Sequence, residues 1–303
     1  MAHKNLLSIT SLSELNDLLG CPKPKHPLVN LIRIQDFKDC AFPVNTSVNL
    51  AFYCVSLKKC TGRLAYGRSY YDFSEGTLTF FAPNQTISLQ NSATQAEGWM
   101  LCFHPDLVYN SPFAKKLDSY RFFDYDSNEA LHVSDDEKRI IEASFKNIKR
   151  EYSQNIDQHT GELILSNIEL LLNYCNRFYD RQFLTRKKVN SDTVAKFENL
   201  LKTYFSQKDL IEKGLPSVKH FADELSFSPN YLSDLLTRYT GKSTQEHIHL
   251  QLIERAKSEL LGSDKTIGEI AYDLGFEYPS HFTKIFKHKT GVSPSRYRTI
   301  REM

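Results

Sequence analysis

The chain has 303 residues, of which 41% are hydrophobic and 24% are charged, and its formal net charge is +2 at pH 7. This length and apolar content are enough for about two domains with buried cores. A net charge so close to zero argues against a polycation that coats nucleic acid without selectivity.

The N-terminus, Met1 to Thr10, lacks the basic start and apolar run of a secretory signal, and no stretch reaches the roughly 18 apolar residues of a membrane-spanning helix. We therefore expect a cytoplasmic protein without membrane contact. The cysteines include no C-x-x-C pair, which predicts reduced, mostly buried thiols rather than zinc ligands or disulfides. They are Cys21, Cys40, Cys54, Cys60, Cys102 and Cys175.

The first half of the chain contains short segments that are rich in aromatic and β-branched residues. They are separated by Gly, Pro, Asn or Ser, as strands are. They run from Val48 to Leu57, Ser69 to Phe73, Thr77 to Phe81, Thr86 to Gln90 and Gly98 to Phe103. This pattern predicts an antiparallel barrel or jelly roll. The run from Gly76 to Gln85 resembles the strand and turn before the last metal-binding strand of a cupin, and the resemblance covers about Leu31 to His104.

A cupin metal site needs two histidines one residue apart, a carboxylate and a further histidine. The predicted barrel has no H-x-H, so we expect no metal, no other cofactor and no catalytic residue in it. Its aromatic side chains would line an apolar pocket for a small effector, or simply fill the core of the barrel. His104 would contact that effector or, as we favour, end a strand with Pro105. The candidate effector-binding residues are Tyr70, Tyr71, Phe81, Trp99 and His104.

Two helices are predicted next. Ser134 to Glu137 has the pattern of a capping box, and an apolar stripe follows it. A second helix, from about Thr160 to Asp180, carries apolar residues at alternating spacings of four and three, which is the pattern of a two-helix seam. These residues are Ile164, Ile168, Leu171, Cys175 and Phe178. The seam would pack on the barrel, on the preceding helix or on a second subunit, and only the last makes a dimer.

Basic residues then lead to Ser191, and we interpret this stretch as the interdomain linker. The predicted domains are a cupin-like sensory domain at 1–133, a helical dimerisation and linker region at 134–188, and a helical domain at 191–303.

The last hundred or so residues contain one unit twice: a short helix, a tight turn, and a second helix that opens with proline. The copies span about 217–240 and 267–290. Proline is favoured at the first position of a helix, and Gly241 and Gly291 stand where each second helix must stop. Each pair matches the helix-turn-helix, whose second helix lies in the major groove of DNA.

The second helix of each copy has an inward apolar stripe and a polar face left over. The inward residues are Leu232, Leu235 and Leu236, matched by Phe282, Ile285 and Phe286. The outward residues predicted to contact DNA are Asn230, Tyr231, Ser233, Asp234, Thr237 and Arg238 in the first copy, and Ser280, His281, Thr283, Lys284 and Lys287 in the second. We assign His281 and Thr283 to bases and Lys287 to phosphate.

Between the copies, Ser243 and Glu246 form a capping-box pattern, and apolar residues recur every four positions from Ile248 to Leu260. This predicts one amphipathic helix of about five turns that fixes the distance between the two copies. His247 and His249 lie on this helix and diverge by about 200°, so they cannot share a metal ion.

The segment from Phe197 to Arg298 resembles the DNA-binding domain of the AraC (arabinose-regulator) family, especially in three runs. They are Arg255-Ala256 with Leu260-Leu261, the stretch from Ile270 to Phe276, and the ending from Thr290 to Arg298. The resemblance implies two helix-turn-helix subdomains joined by a rigid helix, regulation at promoters, dimerisation and contact with RNA polymerase. Relatives often place a cupin-like barrel before this domain. Tyr278-Pro279 departs from the family pattern, so base contacts there cannot be transferred.

The charge is polarised, since the stretch from Tyr278 to Arg301 contains lysines and arginines, among them Arg298, and no carboxylate. Such a patch neutralises phosphates. We therefore predict an α+β protein in which a cupin-like β-barrel with trailing helices precedes an all-α domain. Its predicted function is sequence-specific binding of double-stranded promoter DNA as a homodimer under a small-molecule effector. One alternative is a cupin-type enzyme fused to a DNA-binding module, which is disfavoured because the predicted barrel lacks the metal ligands of a cupin. The other is a regulator that responds to no small-molecule effector.

Overall fold

A computed structural model describes residues 6–37, 47–60, 64–66, 69–71, 76–88, 96–109, 111–126, 129–185, 187–206, 210 and 214–299. They form two compact units, an N-terminal unit Met1–Thr185 and a C-terminal unit Arg186–Met303. The described strands all belong to the N-terminal unit and the C-terminal unit is helical, so the predicted α+β class is confirmed. Within the described ranges, no helix is both long and apolar enough to span a bilayer.

The N-terminal unit is built on two sheets and a hairpin. Its strands are β1 (Leu6–Ile9), β2 (Val29–Arg33), β3 (Ser47–Leu50), β4 (Tyr53–Cys60), β5 (Leu64–Tyr66), β6 (Ser69–Tyr71), β7 (Thr77–Phe81), β8 (Thr86–Ser88), β9 (Ala96–Phe103) and β10 (Leu131–His132). One sheet has the order β10-β7-β4-β9-β2 and is antiparallel throughout; the other has the order β1-β3-β8, with β1 and β3 parallel. β5 and β6 pair with each other.

The predicted strand from Val48 to Leu57 is two strands, because the chain passes from one sheet to the other at Ala51 and Phe52. The amide of Ala51 donates to the carbonyl of Ile9 in β1, while Phe52 is fully buried. Apolar residues from both sheets, including Val48 and Cys54, share one core with helix α1 (Leu12–Leu18). The two sheets therefore enclose a common interior.

The opposite face of the five-stranded sheet carries an aromatic layer. Trp99 stacks on Phe145 of α3 with ring centres 6.0 Å apart. Phe80 contacts Phe122 and Tyr179 of α4 at 4.5 and 5.9 Å. The helices of this unit are α1, α2 (Phe113–Leu117), α3 (Asp135–Ser153) and α4 (Thr160–Thr185). The predicted capping box of Ser134 and Glu137 opens α3 and is confirmed.

The seam on α4 is buried within a single chain. Ile164, Ile168, Leu171 and Cys175 have no exposed surface, and α3 packs against α4. Of the three partners that the sequence left open, the preceding helix α3 and the sheet, through β10, are both packed against α4 within one chain. A dimer cannot form through these side chains without unpacking the N-terminal unit.

The thiols of Cys21, Cys54, Cys102 and Cys175 are buried, as predicted, and are not joined in disulfides among the described residues. Burial and the neighbouring Cys54 thiol raise the pKa of Cys102, so that its thiol stays neutral. Cys40 and the side chain of Cys60 lie outside the described part of the chain.

The boundary between the two units falls at Arg186, within the stretch predicted as the linker, and the residues that follow it form helix α5 (Lys187–Ser206), which contains Ser191. Lysine and arginine favour helices, and the stretch holds no glycine or proline to stop one. The further helices of the C-terminal unit are α6 (Val218–Leu225), α7 (Pro229–Thr240), α8 (Thr244–Gly262), α9 (Ile267–Asp273), α10 (Pro279–Thr290) and α11 (Pro294–Thr299). One apolar core joins residues from α5 to α10, with Tyr297 of α11 packed against it.

Gly275 lets the turn after α9 pack closely against the loop before α6. Its φ is +87°, and a Cβ there would lie 2.8 Å from the carbonyl carbon of Gly214 and 3.0 Å from the carbonyl oxygen of Leu210. Gly291, which ends α10, has a similar φ of +80°, but a Cβ there would meet no described atom within 4 Å. The two glycines therefore separate the effect of the backbone angle from that of close packing.

We expect Gly291→Ala to lower the free energy of unfolding by about 1–2 kcal/mol, which is the cost of a left-handed L-residue. Gly275→Ala should lower it by about 2–4 kcal/mol, because the backbones of Gly214 and Leu210 must also move. Urea unfolding of both variants measures the difference. Equal losses would contradict the close packing at Gly275.

Candidate nucleic-acid interface

The first helix-turn-helix copy is α6, a turn and α7. α6 ends at Ser226, whose φ of 61° is left-handed. The hydroxyl of Ser228 accepts a hydrogen bond from the amide of Tyr231 at 3.2 Å, and Pro229 is the first residue of α7. α7 stops at Gly241, also left-handed with φ 75°. The caps and stops predicted from the sequence are confirmed here.

The second copy, α9 and α10, closes its turn with the same hydrogen bond. The amide of Phe227 donates to the carbonyl of Ala222 at 2.9 Å, and the amide of Phe276 donates to the carbonyl of Ala271 at 3.0 Å. The second turn is one residue longer, since Glu277 and Tyr278 replace the single Ser228 before proline. From the proline onward, α7 and α10 align residue for residue. Pro279 corresponds to Pro229, Phe282 to Leu232, Lys284 to Asp234 and Gly291 to Gly241.

Both second helices, which we call the recognition helices, bury the predicted stripe. Leu232, Leu235, Leu236, Phe282 and Phe286 are buried, and Ile285 is partly buried. The remaining polar residues lie at successive spacings of three and one on each helix, so they form one outward stripe. In α7 the stripe is Asn230, Ser233, Asp234, Thr237 and Arg238; in α10 it is Ser280, Thr283, Lys284, Lys287 and His288. His288, which the sequence reading omitted, occupies the position of Arg238.

Tyr231 does not face outward as predicted. Its side chain is only 5% exposed and stacks on Phe227 of the turn, with ring centres 5.2 Å apart. His281 occupies the same position in α10, and its ring meets Phe276 edge-on at 5.8 Å, although the residue is exposed. Both side chains therefore lean towards the turn, beside the outward stripe rather than within it.

The stripe threonines are hydrogen-bonded within their helices. The hydroxyl of Thr237 donates to the carbonyl of Ser233 at 2.7 Å, and the hydroxyl of Thr283 donates to the carbonyl of Pro279 at 3.0 Å. Thr237 is exposed and Thr283 is partly buried.

Helix α8 lies between the copies and holds them in one core. Its first turn carries the predicted capping box of Ser243 and Glu246, whose hydrogen bonds lower the pKa of the Glu246 carboxyl. Ile248, Leu252, Ala256 and Leu260 are buried in the core, as their spacing predicts. The helix has 19 residues and is therefore about 28 Å long.

The two histidines of α8 have different partners. His247 Nε2 lies 2.7 Å from the hydroxyl of Thr240, whereas His249 Nε2 lies 2.9 Å from the amide nitrogen of Gln245. Burial, followed by the nearby charges of Lys289 and His281, lowers the pKa of His249. Among the described residues, no group of three or more His, Cys, Asp or Glu side chains could hold a metal ion.

Arg298, predicted to contact DNA, instead holds α11 to the connection between α8 and α9. Its Nε donates to the carbonyl of Leu260 at 3.2 Å, and its terminal nitrogen donates to the carbonyl of Lys265 at 2.6 Å. Because these guanidinium donors bind backbone carbonyls within the domain, we revise the role of Arg298 from DNA contact to stabilisation of the fold.

The predicted effector residues do not line one pocket in the described part of the N-terminal unit. Trp99 pairs with Leu57 and Phe81 with Cys54, which puts their side chains on opposite faces of the sheet. Trp99 is covered by Phe145 and by the Arg33 guanidinium, 4.1 Å from the ring centre.

His104 has a structural role at the end of β9. Its Nδ1 accepts a hydrogen bond from the amide of Asp106 at 3.2 Å and so caps a short helical turn. β9 ends at Phe103, directly before His104, where the sequence favoured the end of a strand. The side chains of Tyr70 and Tyr71 lie outside the described part of the chain.

Residues 221–300 match the family described as "Helix-turn-helix domain". This range begins within α6, at Phe221, and includes α7, α8 and the whole second copy. It forms an AraC-type helix-turn-helix domain.

The chain is similar to the uncharacterized HTH-type transcriptional regulator YijO of Escherichia coli, with 28% identity over 57% of this chain and 58% of YijO. It is also similar to the uncharacterized HTH-type transcriptional regulator YobQ of Bacillus subtilis, with 34% identity over 27% of this chain and 34% of YobQ. The aligned region thus spans less than two thirds of either relative. The C-terminal domain of AraT, a response regulator from Geobacillus stearothermophilus, aligns at 30% identity over 36% of this chain and 84% of that domain, with a TM-score of 0.32.

We expect Arg298→Gln to affect mainly the stability of the C-terminal unit and Lys287→Gln to affect mainly DNA binding. Loss of the Arg298 hydrogen bonds should destabilise the C-terminal unit by about 1–3 kcal/mol and leave the salt dependence of DNA binding unchanged. Loss of exposed Lys287 should leave stability unchanged and lower the slope of log K against log[salt] by about 1 for every DNA sequence. Melting curves and DNA titrations at several salt concentrations test both. A lower salt slope in Arg298→Gln would restore that residue to the interface.

Proposed function

We propose that the protein is an AraC-type transcription regulator that binds double-stranded promoter DNA through both helix-turn-helix copies. The observation that carries this proposal is the pair of matching polar stripes on α7 and α10. Each of these helices follows a turn that is closed by the same hydrogen bond. In helix-turn-helix proteins such a stripe reads base edges in the major groove. The match of residues 221–300 to a helix-turn-helix domain supports this reading.

The charge of the second copy supports DNA as the partner. Lys284, Lys287 and Lys289 are exposed on α10, and no carboxylate occurs between Tyr278 and Thr299. Lysines displace the counterions that surround DNA phosphates, which favours binding at moderate salt. A regulator of promoters acts in the cytoplasm, beside the RNA polymerase that it would contact.

We assign a sensory role to the N-terminal unit and interpret its two sheets as a cupin-like domain. Two buried hydroxyls, those of Thr77 and Thr79, have no hydrogen-bond partner among the described residues. Thr79 pairs with Ser56 and shares its face of the sheet with Cys54 and Phe81, in the interior between the sheets. Buried polar groups without partners call for an explanation, and a small effector with polar atoms would provide one. A melting-temperature screen of the whole chain against metabolites would identify it.

We also propose a homodimer, formed through the exposed face of α4. Leu163, Leu170 and Leu184 are 47%, 45% and 62% exposed and lie at heptad spacing on that helix. Leucines repeated at this spacing pack against a second helix in coiled coils, and exposed they are a liability on a monomer. This face replaces the Ile168 seam, which is filled within the chain.

If both copies enter the major groove, their two sites lie about 34 Å apart on one face of the duplex. Inserting five base pairs, about half a helical turn, between the two protected segments should abolish tight binding, because α8 cannot follow the rotation. Footprinting and DNA titration of the full chain measure the effect.

A ten-base-pair insertion restores the rotational phase but about doubles the separation of the two segments, so a rigid α8 predicts loss of tight binding here too. Unchanged affinity after the half-turn insertion, with only one segment protected, would mean that one copy does not contact DNA.

We expect the double variant Leu163→Glu with Leu170→Glu to sediment as a monomer at micromolar concentration while the wild-type chain is dimeric. The carboxylates would repel each other across the interface, and the α3–α4 core would stay intact because both leucines are exposed. Ile156→Glu, at a 60% exposed position before α4, is the matched control. A wild-type chain that is monomeric with and without DNA would exclude this interface.

A further inference from the structure

The two recognition helices carry opposite charges at one equivalent position. Asp234 of α7 aligns with Lys284 of α10, and both belong to the outward stripe. Leu235 and Leu236 behind Asp234 match Ile285 and Phe286 behind Lys284 in the core, so the two side chains leave their helices at equivalent points.

The neighbouring stripe residues extend this contrast. Thr237 aligns with Lys287, so α10 has two lysines where α7 has an aspartate and a threonine. α6 carries Asp223 and Glu224 and α9 carries Glu269 and Asp273, so the first helices of the copies do not differ in acidic charge. The contrast lies in the recognition helices, because α10 has three lysines where α7 has Asp234 and Arg238. The recognition helix of the second copy therefore carries more phosphate-neutralising charge than that of the first.

Base chemistry separates the two positions further. In the major groove, cytosine offers only its amino group, a donor that a carboxylate accepts. Guanine offers two acceptors, O6 and N7, which a lysine ammonium contacts and which repel a carboxylate. Adenine presents its N7 acceptor beside its amino group and so suits a carboxylate less well than cytosine.

Resting on the proposed function, we infer that the two copies read different bases at this position: cytosine beneath Asp234 and guanine beneath Lys284. The recognition helix of the first copy thus attracts phosphates less strongly than that of the second. The preferred DNA is not a repeat of one recognition sequence, although the protein contains a repeated unit.

The test is selection of preferred sequences from a random DNA library by the full-length chain and its variants. Asp234→Asn should lose the cytosine preference in the first segment, about five- to tenfold. It should also bind unrelated DNA more tightly, most strongly at low salt, because a charge that repels phosphates is gone. Lys284→Gln should lose the guanine preference in the second segment and bind unrelated DNA more weakly.

Matched controls remove the same charges outside the stripe. Asp223→Asn on α6 and Lys289→Gln in the last turn of α10 should leave both base preferences as in the wild type; both residues are exposed. Melting curves establish that each variant is folded.

Two failures are distinguishable. A wild-type chain that selects no sequence at all overturns the proposed function. A wild-type chain that selects a sequence, while Asp234→Asn retains its full base preference or binds unrelated DNA more weakly, overturns the division between the two copies. A wild-type chain that prefers the same base in both segments would also overturn the division between the two copies.

Discussion

The buried face of α8 is the constraint on which the C-terminal unit depends. Each helix-turn-helix copy has two short helices, and neither pair can enclose its own apolar residues. Ile248, Leu252 and Ala256 supply the missing surface, and residues of both copies pack into one core with them. Because one continuous helix completes both copies, their separation is a property of the core and not of a flexible connection.

Local signals in the sequence were enough to predict most of this unit. Serine caps, prolines at first helical positions and terminal glycines each act within one turn of chain, so they can be read without a partner. The Ser243 capping box and the stop at Gly241 are examples. The inward stripes were predicted for the same reason, since helical periodicity alone decides which residues share a face.

Features that depend on contacts distant in sequence were missed. Periodicity placed Tyr231 on the edge of the polar face, whereas in the structure its ring is buried and stacks on Phe227. Arg298 was counted with the basic patch because its acceptors, the carbonyls of Leu260 and Lys265, are far along the chain. Likewise, the spacing of the α4 seam identified an apolar face but carried no information on which helix covers it. The short strands β1, β2 and β10 exist as strands because their partners bind them, which the sequence analysis did not foresee.

The hydrogen bonds of Thr237 and Thr283 to their own helices limit the hydrogen bonds that these side chains can make to a DNA base. A threonine hydroxyl has a single proton, and in both residues it is donated to the carbonyl oxygen of the residue four positions earlier in the helix. The oxygen that remains can only accept, so it cannot complement the exocyclic oxygens of guanine or thymine. What the side chain still offers outright is its methyl group, whose natural counterpart in the major groove is the 5-methyl group of thymine. If α7 and α10 enter the major groove as proposed, these two side chains can contact the methyl group of thymine and can accept a hydrogen bond from the amino group of adenine or cytosine.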